Sequence, residues 1–479
     1  MWKGSMMSRS VKSIIALVVC AVLAACAFTA FGFSKSFGAY ANRSAGGKVI
    51  FFNFKPEGKD IWTEVANEYK RTHPGADIDV KTPQSNQYED ELRSAVDDAK
   101  AKHNPDAMPT LFQINGPVGY ANWKDYTADL SNSPLYNQLS NKGLALTDNN
   151  KPVAVPYVTE NYGLIYNKAL LARYADLHNS KLKPEEDGVP FEDQITTLGK
   201  LKEVADDLQK RKDELGIDGA FTSAGFDSSS DWRFKTHLAN MPLYYQFKED
   251  GVKGQPQSIN GKYVDNFRNI FDLYISDSTT PVSQLSTKTG EDAVYEFALG
   301  KAVFYQNGTW AWGDLANAGI KPDDVGMLPI YIGAKGEEKQ GLATGSENYW
   351  CINKQASEKN QRATNEFLQW LLTSDYGKGV LANRLGFAAP FKNFPKAKNP
   401  LVQAAADYTA KEGKVPVTWV FVTMPSNGWK DDVGSDLLTY AQATKDGMTS
   451  MGANQAWNTL KKAFVEGWAK EYKIAHGQG

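Results

Sequence analysis

A chain of 479 residues is too long for one ordinary hydrophobic core, so it divides into at least two domains. With 53 basic against 55 acidic residues, 42% apolar and 23% charged, it is neither disordered nor a coiled coil, and it has no general attraction for nucleic acid or an anionic membrane. Three cysteines cannot build a disulfide framework or a four-thiolate zinc site.

Lys3, Arg9 and Lys12 precede an uncharged stretch from Ile14 to Phe33, the pattern of an export signal. Within it, Leu23-Ala24-Ala25-Cys26 resembles a lipobox, at which bacterial lipoproteins are cleaved and lipidated on Cys26. Residues 1–26 then form a lipoprotein signal peptide. The apolar run continues through Phe31, which leaves two other fates. Cleavage after Ala39-Tyr40-Ala41 would release a soluble protein, and retention of about 20 apolar residues would leave a membrane anchor. Each fate places the folded body outside the cytoplasmic membrane. Cys20 and Cys26 both fall in the signal, so only Cys351 remains in the body. Its apolar setting, Tyr349-Trp350-Cys351-Ile352, predicts a buried, inert thiol.

Residues 27–47 end in a Gly- and Ser-rich stretch and read as a flexible tether. Lys48 to Phe54 is an apolar run suited to a buried strand. A turn at Pro56-Glu57-Gly58 leads to a helix over 59–71, with Ile61, Trp62, Val65 and Tyr69 on one face. His73-Pro74-Gly75 stops it. A strand over 76–81, a helix over 87–102 and a strand over 110–114 follow. This β-α-β-α-β order predicts a parallel sheet with helices on both faces. Ligands bind such sheets at the carboxyl ends of strands, here Asn53 to Glu57 and Gln113 to Pro117. Further on, 156–168 reads as an extended crossing and a strand, 196–214 as a charged helix, and 219–233 as a Gly/Ser loop. Helices are expected at 359–373 and over most of 433–474. No repeat and no internal membrane span is visible.

Motifs for catalysis do not emerge. None of the five histidines has zinc-ligand spacing, and there is no phosphate loop, Rossmann fingerprint or Gly-x-Ser-x-Gly elbow. Ser228-Ser229-Ser230 reads as a polar loop. Asp323-Asp324 and Asp431-Asp432 read as solvated turns or helix starts. A glycosidase needs two carboxylates about 5 to 10 Å apart, and no pair is marked out. No cofactor or metal is expected.

Several segments in order carry a resemblance. They are the lipobox, the first strand and helix ending in His73-Pro74-Gly75, Pro156 with Tyr162-Gly163-Leu164-Ile165-Tyr166-Asn167-Lys168, and Gly300 to Trp310. Gly345 before Ile352-Asn353-Lys354, the helix from Ala363 to Thr373, and Gly386-Phe387-Ala388-Ala389-Pro390 complete the set. Together they resemble the family-1 extracellular solute-binding proteins of carbohydrate ABC transporters. The resemblance implies an α/β, periplasmic-binding-protein-like fold with two discontinuous lobes around a hinged cleft. The N-terminal lobe would comprise 48–156 and 346–386, and the C-terminal lobe 157–345 and 387–479, with crossings near 156–160, 341–346 and 386–390.

The same resemblance assigns site residues. Trp310 matches a position that stacks on a sugar, and Trp429 a second one. Glu160 follows a crossing where ligand hydroxyls are bound. Asn53, Lys55 and Glu57 follow the first strand, and Glu347, Asn348 and Tyr349 follow the second crossing; Asn115 is a candidate from the strand pattern alone, at the end of the third strand. Trp232, beside Asp231, is a further wall candidate. These types suit a sugar, whose C–H face stacks on an aromatic ring and whose hydroxyls pair with Asn, Glu and Lys. The chain carries twelve Trp. Trp62, Trp370, Trp457 and Trp468 lie on apolar helix faces and Trp123 and Trp350 in apolar runs, so these are expected in cores, with Trp312 structural. The implied function is capture of an oligosaccharide for an ABC permease, by a lipid-anchored monomer that is not an enzyme and does not bind nucleic acid. An exported glycoside hydrolase or lyase, or the same fold with a non-sugar ligand, are the alternatives.

Overall fold

The computed structural model describes residues 46–477, apart from 85–86, 184, 187–188 and 446–451. The leader, with Cys26, and the tether to residue 45 lie outside the described residues. Strand β1 (Lys48–Phe52) leads through a tight turn into helix α1 (Lys59–Thr72), which buries Trp62, Val65, Ala66 and Tyr69. Strand β2 (Asp77–Lys81), helix α2 (Tyr88–Ala101), strand β3 (Leu111–Asn115) and helix α3 (Gly116–Trp123) follow. β1 lies between β2 and β3 and runs parallel to both, as the alternating order predicts.

The remaining strands of the two main sheets are β4 (Leu146–Asp148), β5 (Lys151–Pro156), β6 (Glu160–Asn167), β7 (Gly219–Phe221), β8 (Ala302–Gly308), β9 (Val325–Leu328), β10 (Gln340–Gly345), β11 (Asn348–Ile352) and β12 (Val415–Thr418), and Glu185–Glu186 pairs with Val189–Pro190 in a separate short hairpin. The first sheet has the order β2-β1-β3-β11-β5-β4 and the second β12-β10-β6-β8-β7, with β9 also paired to β6. The chain leaves the first sheet at Pro156 and joins the second at Glu160. It returns between Gly345 and Asn348, and β11 inserts antiparallel to β3 with Asn348 opposite Asn115. Each sheet anchors its own lobe. The first lobe has a core on each face of its sheet, and the second has one continuous core.

Most tryptophans sort as the apolar periodicity predicts. Trp62, Trp123, Trp350, Trp457 and Trp468 are buried, and Cys351 is fully buried between layers. Trp370 of helix α4 (Glu358–Thr373) is only half-buried and stacks on Tyr376. The segment after Gly386 differs from expectation. Phe387 and Phe391 join the first core, and Phe391 lies parallel to Trp350. Thr159 pairs with Ala388 beside the first crossing. Residues 387–394 therefore pack with the first lobe, because burying two aromatic rings outweighs the change of direction that Gly386 and Pro390 allow. The second lobe resumes at the helix Pro400–Ala410, whose Leu401 and Ala405 join its core. Helices α5 (Asn427–Lys445) and α6 (Ala453–Ala475) close that lobe against each other. Among the described residues no helix is long and apolar enough to cross a membrane.

Candidate functional site

The carboxyl ends of β1 and β3, the start of β11 and the loop before it form the floor contributed by the first lobe. Asn53 is buried there, and its side-chain amide donates to the Lys55 carbonyl at 2.7 Å and to Thr82 Oγ1 at 3.3 Å. It shapes the loop that carries Lys55. Gln113 Oε1 accepts from the Phe54 amide, while Gln113 Nε2 and Asn348 Oδ1 are buried with no protein partner. Asn115 faces Asn348 across the ladder. Tyr349 points to the layer that holds Phe112 and Trp123.

Lys55 crosses to the second lobe. Its ammonium lies 2.8 Å from Glu160 Oε1 and 3.7 Å from Glu57 Oε1, and it sits 5.4 Å above the Trp310 ring. Burial alone would lower the Lys55 pKa, but Glu160 and Glu57 outweigh it and hold the group above its ordinary value. Glu57 is pushed up by desolvation, which Lys55 only partly offsets, although its side chain remains 26% exposed. Glu347 is likewise pushed up by burial against the opposing pull of Lys430, and burial pushes Lys430 down against Glu347. These two oppositely charged groups flank the same space. The lobes also meet where Gly116, at φ +58, opens α3. A Cβ there would lie 3.1 Å from Val422 Cβ, so glycine serves both the left-handed backbone and the close approach.

The second lobe supplies an aromatic wall. Trp310 follows β8 and its indole lies flat on Gly308, where a Cβ would meet the ring at 2.1 Å. Trp232 is half-buried and donates from Nε1 to the Ser229 carbonyl at 2.9 Å. The two ring centroids are 5.8 Å apart. Asp231 is engaged by Lys235 at 2.6 Å. Behind the wall, His237 stacks on Tyr162 at 4.4 Å and touches Trp310, Trp232, Trp419 and Phe421. The structure thus brings together Lys55, Glu57, Glu160, Trp232 and Trp310, with Glu347 and Asn115 at the floor.

It does not bring Trp429 there. That residue is fully buried in the second core, with its Nε1 donating to the Phe464 carbonyl at 3.0 Å. Its expected stacking role is therefore corrected: at the start of α5 one residue's rotation turns Lys430, not Trp429, toward the cleft. Sequence reasoning missed His237, Trp419 and Lys430. No spacing marks them; Trp419 follows a four-residue edge strand, and His237 belongs to a π-helical turn, Arg233–Leu238. Among the described residues no group of three or more His, Cys, Asp or Glu could hold a metal ion.

Burial, with Lys430 and Lys55 nearby, holds the His237 imidazole well below its ordinary value of 6.5. The unfolded chain binds that proton more readily. The contribution of His237 to stability is therefore complete above about pH 6.5 and declines as pH falls below it. Urea unfolding at pH 7.5 and 5.5 should show lower stability at the acid value, and His237→Gln should flatten this difference. Equal pH dependence in both proteins would show that another group is responsible.

A family profile described as bacterial extracellular solute-binding protein matches residues 64–412. No curated protein sequence matches the chain. Three solved structures show the likeness. The solute-binding protein RafE in complex with raffinose has a TM-score of 0.64 at 17% identity, over 89% of this chain and 99% of that one. The GacH receptor of Streptomyces glaucescens, studied unliganded and with acarbose, has a TM-score of 0.61 at 17% identity, over 89% and 99%. Maltose-bound MalE3 of T. maritima has a TM-score of 0.59 at 18% identity, over 87% and 98%. At such identities the likeness establishes the shared two-lobed fold.

Proposed function

The chain belongs to the bacterial extracellular solute-binding protein family, and from that premise we propose that it captures an oligosaccharide between its lobes and delivers it to the permease of an ABC importer. One observation carries the sugar reading. The Trp310 and Trp232 wall faces the same space as the buried Lys55–Glu160 pair, so an apolar ring face and a hydroxyl rim each find a partner. The unpaired Gln113 Nε2 and Asn348 Oδ1 add donor and acceptor capacity on the opposite lobe. RafE, GacH and MalE3 are described with raffinose, acarbose and maltose, which supports the same ligand class here.

In this reading the protein is a monomeric binding protein and not an enzyme. It is held at the outer face of the membrane by lipid on Cys26, with cleavage near Ala41 as the alternative. The first lobe comprises 48–156 and 346–394, and the second the rest of the folded body. The test is a thermal-shift screen of mono- and oligosaccharides, with polyamines, phosphate esters and peptides beside them. A ligand that binds only the folded form raises the melting temperature. An oligosaccharide should do so without release of new reducing ends. A shift by a non-sugar alone, or the appearance of reducing ends, would overturn the reading.

A further inference from the structure

We propose that the second lobe binds a monatomic anion of the chloride type in a buried cavity behind the aromatic wall, separate from the space between the lobes. The cavity has a volume of about 10 Å³ and is lined by Arg233, Ser223, Tyr274 and Gln306, with Phe221 and Phe234 on its apolar side. That is room for one small occupant. Arg233 is 2% exposed, and its guanidinium meets only neutral groups. Nε and Nη2 donate to Ser230 Oγ at 3.2 and 2.8 Å, and Nη2 also donates to the Ser223 carbonyl at 2.8 Å. Nη1 has one contact, the Gln306 carbonyl at 3.5 Å, which is longer than an ordinary hydrogen bond. The Phe234 and Tyr305 rings lie 5.1 and 5.8 Å from the guanidinium carbon. Among the described residues no carboxylate pairs with Arg233.

A full charge buried without a counter-charge is among the costliest features a core can carry. Two more donors belong to residues that line the same cavity. The Tyr274 hydroxyl and Ser223 Oγ are buried with no protein partner. Gln306 Oε1 is the one unpaired acceptor there. It gains nothing from an anion, but one amide dipole weighs less than a whole guanidinium charge. A water would meet these polar atoms and leave that charge unbalanced. A halide balances it and accepts charge-assisted hydrogen bonds from Nη1 and both hydroxyls. A tetrahedral oxyanion is too large for the volume. The site bears on the wall through Gln306, whose Nε2 donates to the Tyr162 hydroxyl at 3.0 Å and to the Arg233 carbonyl at 3.1 Å. The Tyr162 ring stacks on His237, and Arg233 opens the π-helical turn that carries His237 and directly follows Trp232. A bound anion therefore fixes the turn from which the wall is built.

Crystals grown in bromide should show an anomalous scattering peak in this cavity. At constant ionic strength, replacing methanesulfonate by chloride from about 5 to about 200 mM should raise the unfolding temperature along a saturating curve, by about 2 °C in all. The double variant Ser223→Ala, Tyr274→Phe removes both hydroxyl donors and keeps the guanidinium and the shape of the cavity. It should lose most of that rise. Water alone in the cavity, or a chloride-dependent rise as large in the double variant, would overturn the proposal. Bromide in the cavity with no chloride-dependent rise would be an adventitious ion only, and would overturn it as well.

Discussion

Trp310→Ala is expected to weaken oligosaccharide binding at least tenfold while leaving the fold intact. The indole is the half-exposed centre of the aromatic wall, with Tyr162, Trp232 and His237 behind and beside it. Aromatic anchors at the centre of a buried contact commonly cost about 2 kcal/mol or more when truncated, and each 1.4 kcal/mol is roughly tenfold in affinity. The substitution also removes the ring beneath the Lys55 ammonium, which loosens the group that faces the ligand hydroxyls. Because the ring lies at the cleft surface, the core of the second lobe keeps its packing. Calorimetry with the tightest sugar from the screen measures the first effect and thermal unfolding the second. Trp310→Phe should recover part of the affinity. An unchanged dissociation constant in Trp310→Ala would take the ring out of the site.

Trp429→Ala is expected to do the reverse. The ring is fully buried, edge-on to Phe464 at 5.0 Å and to Trp468 at 5.3 Å, and its N–H satisfies the Phe464 carbonyl. Truncation opens a large cavity between α5 and α6 and removes the side-chain hydrogen bond to that helical carbonyl. Such changes cost about 3 to 5 kcal/mol. Denaturant unfolding should show a loss of that size, with sugar affinity per folded molecule unchanged. A fall in affinity with stability intact would return Trp429 to the cleft.

The two tryptophans show where local pattern stops informing. Both follow small polar residues, in Asn307-Gly308-Thr309-Trp310 and Ser426-Asn427-Gly428-Trp429, and both resemble stacking positions. Trp310 emerges from a strand end, and strand ends of such sheets face the cleft whatever the neighbouring lobe does. Trp429 starts a helix, where adjacent residues point about 100° apart and a shift of one decides between cleft and core.

Local periodicity by itself determined the alternating strands and helices of the first lobe, the strand ends that hold Lys55 and Asn115, and the burial of Trp62, Trp457 and Trp468. These depend on residues a few positions apart, whose spacing sets which face meets the core. The family resemblance pointed further, to Glu160, Trp232 and Trp310. Only the tertiary structure decided that Lys55 reaches Glu160, 105 residues away, that His237 and Trp419 back the wall, and that residues 387–394 return to the first lobe. The first contact is set by how two independently packed cores dock, and the others by packing within one lobe between segments far apart in the chain, so no spacing along the chain records them.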